Sequence, residues 1–316
     1  MNTTKSNNPA YTLYKQHQKD VELSKQLLFS RLNSINPKIK QQIENLYNKR
    51  KASHSLPYLG ELYPWVMADI FDINKNEELQ KISQDWLALY YYTIFTDDVI
   101  DSEAINFIGS ELISLTALMK EGLFKLYRAV LNTPYESEFE KAINSVLNQG
   151  KIEENLSKKI GHKKTKVNYT SKKNDLIKLC AFALVSNSEN DPKSKDLLLD
   201  FTEKLQLVFQ YLDDMADIKE DLKDRNFTVV LNSLLSKVNI ENLNENNLIE
   251  NLIEKKVLVN FVNEIESLFN DLLSIMDLNK ENASVLFFKD IYRNIHSFKL
   301  FIQKIDVRTF ETNINY

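Results

Sequence analysis

Apolar residues recur at three- and four-residue intervals along most of the chain, the repeat of one helix face. Residues 10–32 and 38–51 read as amphipathic, Lys-rich helices, with Pro37 placed to start the second. Residues 56–71 are apolar and aromatic but carry Pro57 and Pro64, which predicts a short turn and then a helix. One long helix is predicted from Glu77 to Asp101. Its section from Trp86 to Phe95 is apolar on every side, the mark of a buried helix. Helices follow over 104–131 and 136–149. Residues 150–175 break the pattern with eight lysines and few apolar positions, so they read as a loop or a polar helix–loop. Periodicity resumes from Leu176 to about Ser186, and Pro192 opens a long helix over roughly 193–222. After a polar break at 238–247, helices over 248–277 and 282–305 finish the chain. No repeat or composition shift divides it. The reading is a single all-α domain over 1–316, a bundle of roughly ten or more helices. Residues 1–35 are candidates for a flexible or accessory N-terminal segment.

Composition sharpens this. The 316 residues include only five Gly and six Pro, and neither occurs after Pro192. Gly and Pro together average roughly 12% of a chain; here they are far below that. Sandwiches, barrels and doubly wound sheets need more turn residues than this. There is no G-x-G-x-x-G, Walker loop or G-x-S-x-G, so any bound phosphate is held without a glycine cradle. One cysteine, Cys180, rules out an internal disulfide and a Cys-based zinc cluster and fits a reducing, cytoplasmic setting. The start is polar and lacks a signal-peptide core, and no apolar stretch is long enough to span a membrane. With a formal charge of −4, nothing argues for a nucleic-acid partner.

Two acidic clusters carry the chemistry. Both have the form D-D-x-x-D at the end of an apolar helical run: Asp97-Asp98-Val99-Ile100-Asp101 and Asp213-Asp214-Met215-Ala216-Asp217, the latter continued by Asp221. Asp97 and Asp101 are one helical turn apart; Asp213, Asp217 and Asp221 form an i, i+4, i+8 stripe. Like charges at this spacing destabilise a helix by a few tenths of a kcal/mol per pair. Acids near a helix C-terminus also oppose its dipole. A neutralising cation resolves both costs. Oxygen ligands without Cys or His indicate a hard cation, Mg²⁺ before Zn²⁺. Mg²⁺ held by a few carboxylates usually completes its shell with water and substrate phosphate. The competing reading is a pair of solvated acidic helix faces.

These residues resemble the metal-binding motifs of class I isoprenoid synthases: trans-prenyl diphosphate synthases, squalene and phytoene synthases, and terpene cyclases. Phe209-Gln210-x-x-Asp213-Asp214-x-x-Asp217 is similar to the second prenyl-synthase motif at every fixed position. Leu89-Tyr90 through Asp101 is similar to the first. The stripe Asp213, Asp217, Asp221 also has the spacing of the cyclases' metal triad. The resemblance implies a helical bundle around a central apolar cavity, three Mg²⁺, an allylic prenyl diphosphate as substrate and a homodimer. It implies that Asp97 and Asp101 hold two ions and Asp213, Asp217 and Asp221 the third, with Asp98 and Asp214 beside them. Lys172 or Lys173, Lys223, Arg225 and, more weakly, Arg293 are the candidate donors to the diphosphate. Tyr90, Thr93 and Ile94 share the face of Asp97, and Gln206, Phe209 and Gln210 that of Asp213; these are the expected cavity wall. Tyr91, Tyr92 and Phe95 read as core.

The departures steer the expected function. Chain-elongating synthases hold isopentenyl diphosphate on a basic G-K-R-x-R-P segment, whereas Gly60-Glu61-Leu62-Tyr63-Pro64 has no basic residue. They also carry an Arg pair after the first motif; here no Arg lies between Arg50 and Arg128. A second diphosphate needs such cationic, often bidentate partners. The expectation is therefore a terpene synthase that ionises one C10–C20 prenyl diphosphate. The alternatives are a prenyltransferase (a divergent prenyl diphosphate synthase or a squalene/phytoene-type enzyme) and a non-catalytic helical partner of an active synthase.

Overall fold

The computed structural model describes residues 9–52, 58–101, 109–157, 175–224 and 227–314, and among these every regular element is helical, with no strand. In chain order the α-helices are α1 (Pro9–Ile35), α2 (Pro37–Ala52), α3 (Tyr58–Phe71), α4 (Glu77–Asp101), α5 (Gly109–Met119), α6 (Lys125–Val130), α7 (Glu136–Ser157), α8 (Asp175–Asn187), α9 (Pro192–Ala216), α10 (Ile218–Asp224), α11 (Val229–Leu235), α12 (Leu248–Glu254), α13 (Val257–Ile275) and α14 (Ala283–Ile314). A π-helical turn, Lys120–Phe124, joins α5 to α6, and a 3₁₀ turn, Ile240–Asn242, lies before α12. No helix among the described residues is long and apolar enough to cross a membrane.

Local chemistry sets the helix starts. Asn36 Oδ1 accepts from Lys38 N at 2.9 Å ahead of α2. Asn76 Oδ1 accepts from Glu78 N and Leu79 N, both at 3.1 Å, ahead of α4. Asp191 Oδ1 accepts from Lys193 N at 2.9 Å ahead of α9. Each satisfies an amide that the first helical turn leaves unpaired.

The helices form two compact units, one of residues 1–139, 179–198 and 282–284, the other of 140–178, 199–281 and 285–316. In the first unit α1 packs on α2, α3 and α4. Leu13, His17, Val21, Ser24, Leu28 and Leu32 of α1 are buried, so residues 9–35 belong to this unit's core. Trp86, Tyr91 and Phe95 of α4 are fully buried, as the all-round apolar pattern requires, while Tyr92 is half-buried. The Tyr91 and Phe95 rings stack 5.6 Å apart. Each such burial contributes roughly 1.5–3 kcal/mol.

Two tertiary contacts alter what the local pattern predicts. Pro64 does not interrupt α3 but lies inside it. A proline there cannot bond the carbonyl four residues back, that of Gly60; this carbonyl instead accepts the Trp86 indole N–H at 2.6 Å. The predicted helix over 104–131 is divided, where described, by the π turn, whose Gly122 lies against the backbone of Leu89. A Cβ at 122 would overlap Leu89 N and Cα, neither of which can swing aside. Gly122→Ala is therefore expected to cost at least about 2–3 kcal/mol, as overpacking does, measured by urea denaturation. The gain of roughly 1 kcal/mol that Ala gives over Gly in an open helix would contradict this packing.

An ion cluster ties α1 to α4. Arg31 Nη1 donates to Asp85 Oδ1 at 2.8 Å and Arg31 Nε lies 2.7 Å from Glu121 Oε2. Burial raises the Asp85 carboxyl to about 6, against the opposing charge of Arg31. Asp69 shows the reverse balance. Burial alone would raise it, but hydrogen bonds from His17 (2.9 Å), Lys75 (2.5 Å) and Ser284 (2.7 Å) hold it at about 2.

Candidate active site

The first acidic cluster forms the C-terminal end of α4, within the first unit. The side chains of Asp97, Asp98 and Asp101 lie outside the described ones. The turns leading to them are described. Tyr90 and Ile94 are buried and Thr93 is half-buried, its Oγ1 donating to Leu89 O at 3.0 Å. The Tyr90 ring stacks on Trp86 at 5.9 Å and covers Gly60, where a Cβ would overlap it. Beside Asp97, the Thr96 Oγ1 is buried with no hydrogen-bond partner among the described residues. A leftover buried hydroxyl of this kind calls for a water or a ligand atom.

The second cluster, in the second unit, sorts its carboxylates by role. Asp213 and Asp217 are exposed, and Asp217 N donates to Asp213 O at 3.0 Å, so one helical turn separates them. Asp214 and Asp221 turn inward, at 3% and 6% exposure. Asp214 Oδ1 accepts from Gln210 Nε2 at 2.5 Å, and Oδ2 from Val229 N at 3.2 Å. The second bond caps α11, whose N-cap Thr228 makes no side-chain cap of its own. Thr228 Oγ1 donates instead to Asp221 Oδ2 at 3.0 Å.

This corrects the predicted stripe. The helix expected over 193–222 ends at Ala216 and restarts at Ile218, and Asp221 does not share the exposed setting of Asp213 and Asp217. The exposed pair suits a hard cation in chemistry, being oxygen-only and one turn apart. Among the described residues no three His, Cys, Asp or Glu side chains gather as a metal site.

The other predicted residues fall in several settings. Gln206 and Gln210 are buried on α9 at 1% and 2% exposure, and Phe209 is half-buried. Lys223 is exposed and lines a depression shared with Glu241 and Glu245. Arg293 is exposed on α14, 3.8 Å from Asp290. Lys172, Lys173 and Arg225 lie outside the described residues.

One buried ion pair escaped the motif reading. Glu61, on α3, is 1% exposed. Its Oε2 lies 2.9 Å from Lys25 Nζ, and its Oε1 accepts from Tyr91 OH at 2.6 Å. Lys25, itself 4% exposed, also donates to Tyr47 OH at 3.0 Å. Burial opposes its charge, but Glu61 and Tyr47 outweigh that and raise its pKa above the ordinary lysine value. A carboxylate inside the apolar run Tyr58–Phe71, one of two with Asp69, was the available signal, because a buried charge needs a partner.

No protein-family model matches the chain, and no curated protein matches it.

Proposed function

We propose that the chain is a Mg²⁺-dependent class I terpene synthase, acting on a single C10–C20 allylic prenyl diphosphate and releasing diphosphate and a terpene. The reading is carried by the paired D-D-x-x-D clusters. The second supports it further, because two of its carboxylates are exposed while the other two build the fold around them. Asp97 with Asp101 at the end of α4, and Asp213 with Asp217 at and just past the end of α9, are each a pair that would take a metal ion. Asp221, committed to Thr228, is left out of that set. Bound Mg²⁺ would supply Lewis-acid stabilisation of the departing diphosphate. The chain's own residues would do the rest. Of the two described candidate donors, Lys223 and Arg293, Lys223 is nearer the acidic pair in sequence and would donate to the diphosphate as a point charge. Tyr90 and Phe209 offer aromatic faces near the acids, each worth about 0.5–2 kcal/mol to a cation.

The single-diphosphate form of the reading rests on Glu61. A second diphosphate needs cations at this stretch; here it bears a buried carboxylate whose nearby lysine is already used.

Diphosphate release from geranyl, farnesyl or geranylgeranyl diphosphate tests this. Release is expected with Mg²⁺, none with EDTA, and a fall of at least about 100-fold in Asp97→Ala and Asp217→Ala, the scale of losing an electrostatic stabiliser. Full activity in both variants would overturn the assignment.

A further inference from the structure

The second unit holds a cavity of about 240 Å³ that, among the described residues, no acidic or basic side chain lines. Its described walls come from all six helices α9 to α14: Met215, Ile218, Val230, Leu252, Leu258 and Phe301 contribute one from each, and all ten described lining residues are apolar. It lies behind the acidic pair. Met215 follows Asp213 by two residues on α9, so the two side chains diverge by about 200° around the helix. Phe298 and Phe301 stand at the mouth, 42% and 58% exposed.

We infer that this cavity is a binding site for a small uncharged hydrocarbon of roughly ten carbons. Chemistry and size select the ligand. The described walls offer no charged partner, which disfavours a diphosphate or any other charged group. A dry cavity of about 150 Å³ lined by Leu, Ile and Phe takes up benzene; scaling six carbons by volume gives about ten here. A macromolecular partner fits less well, because a stable interface takes about 20–30 residues a side, whereas ten residues line this cavity. Next to them in the chain stand exposed charged and polar residues, Lys219, Glu250, Gln303 and Lys304 among them. The ligand would touch Met215 and Ile218, on either side of Asp217, so filling the cavity bears on the bend between α9 and α10.

The inference does not depend on the proposed reaction, and its test uses neither metal nor diphosphate. Naphthalene, an uncharged fluorescent hydrocarbon of ten carbons serving as the probe, is titrated into the full chain without Mg²⁺ and then displaced with limonene. The expected result is saturable one-to-one binding, reversed by limonene. Ile249→Trp, at a 42% exposed lining position, should weaken it by at least about tenfold through occlusion. Phe301→Lys, also at the mouth, is the second variant, and circular dichroism checks that both fold. Two results would overturn the inference. One is probe fluorescence that is absent or unchanged in both folded variants. The other is probe binding that weakens as sedimentation shows a dimer forming, since a second copy would then cover the cavity.

Discussion

Lys25→Met is expected to destabilise the protein by about 3–5 kcal/mol, the cost of stranding one member of a buried ion pair. Lys25 and Glu61 are nearly inaccessible, and the ammonium also bonds Glu22 at 3.1 Å and Tyr47 at 3.0 Å. Without it, Glu61 keeps the Tyr91 hydroxyl at 2.6 Å but no counter-charge. Burial and the Glu61 charge already push the Tyr91 hydroxyl well above its ordinary pKa, so it stays a neutral donor and cannot replace the cation. The double variant Lys25→Met/Glu61→Leu removes both charges and should recover most of the loss, because apolar replacements of buried pairs are often near neutral. Urea denaturation of the three proteins measures this. A single-variant loss below about 1 kcal/mol, the range of an exposed pair, would contradict the buried placement. Under the proposed function the pair matters further, because a carboxylate then stands where the resemblance would put the cations for a second diphosphate.

The second prediction separates the carboxylates of one motif. Asp214→Ala should lose about 2–3 kcal/mol, because it strips charged hydrogen bonds from Gln210 and from the first amide of α11. Asp221→Ala should lose somewhat less, leaving the buried Thr228 hydroxyl without its acceptor. Asp213→Ala and Asp217→Ala should leave stability within about 0.5 kcal/mol of the parent, the usual range for surface changes. Removing their i, i+4 repulsion can even add a few tenths. Calorimetric titration with Mg²⁺ should give the converse order: binding lost in the exposed pair and retained in folded Asp214→Ala. Equal destabilisation across all four would refute the division of roles.

Much of the helical frame was readable without coordinates. The bounds of α4 follow from the apolar run and its acidic ends, and Pro37 and Pro192 open the helices they were expected to open. Where the reading departs from the structure, a tertiary contact decides. Pro64 looks like a breaker until the Trp86 indole supplies the bond that the Gly60 carbonyl lacks. The π turn adds no apolar or polar signature, and it coincides with the close approach of Gly122 to Leu89. The break at Asp217 has no glycine or proline to mark it; it accompanies the reach of Asp214 to Val229 and of Asp221 to Thr228, residues a further seven to fifteen along the chain. Motif spacing places Asp213, Asp214, Asp217 and Asp221 at helical intervals but does not show the break at Asp217. It could not show which are solvated, because that depends on where α11 begins.

The most direct test of the central claim is product analysis with Mg²⁺ and farnesyl diphosphate, with and without isopentenyl diphosphate. The account predicts a hydrocarbon or terpene alcohol from farnesyl diphosphate alone, in a yield that isopentenyl diphosphate leaves unchanged. A longer prenyl diphosphate formed only when isopentenyl diphosphate is present would contradict it.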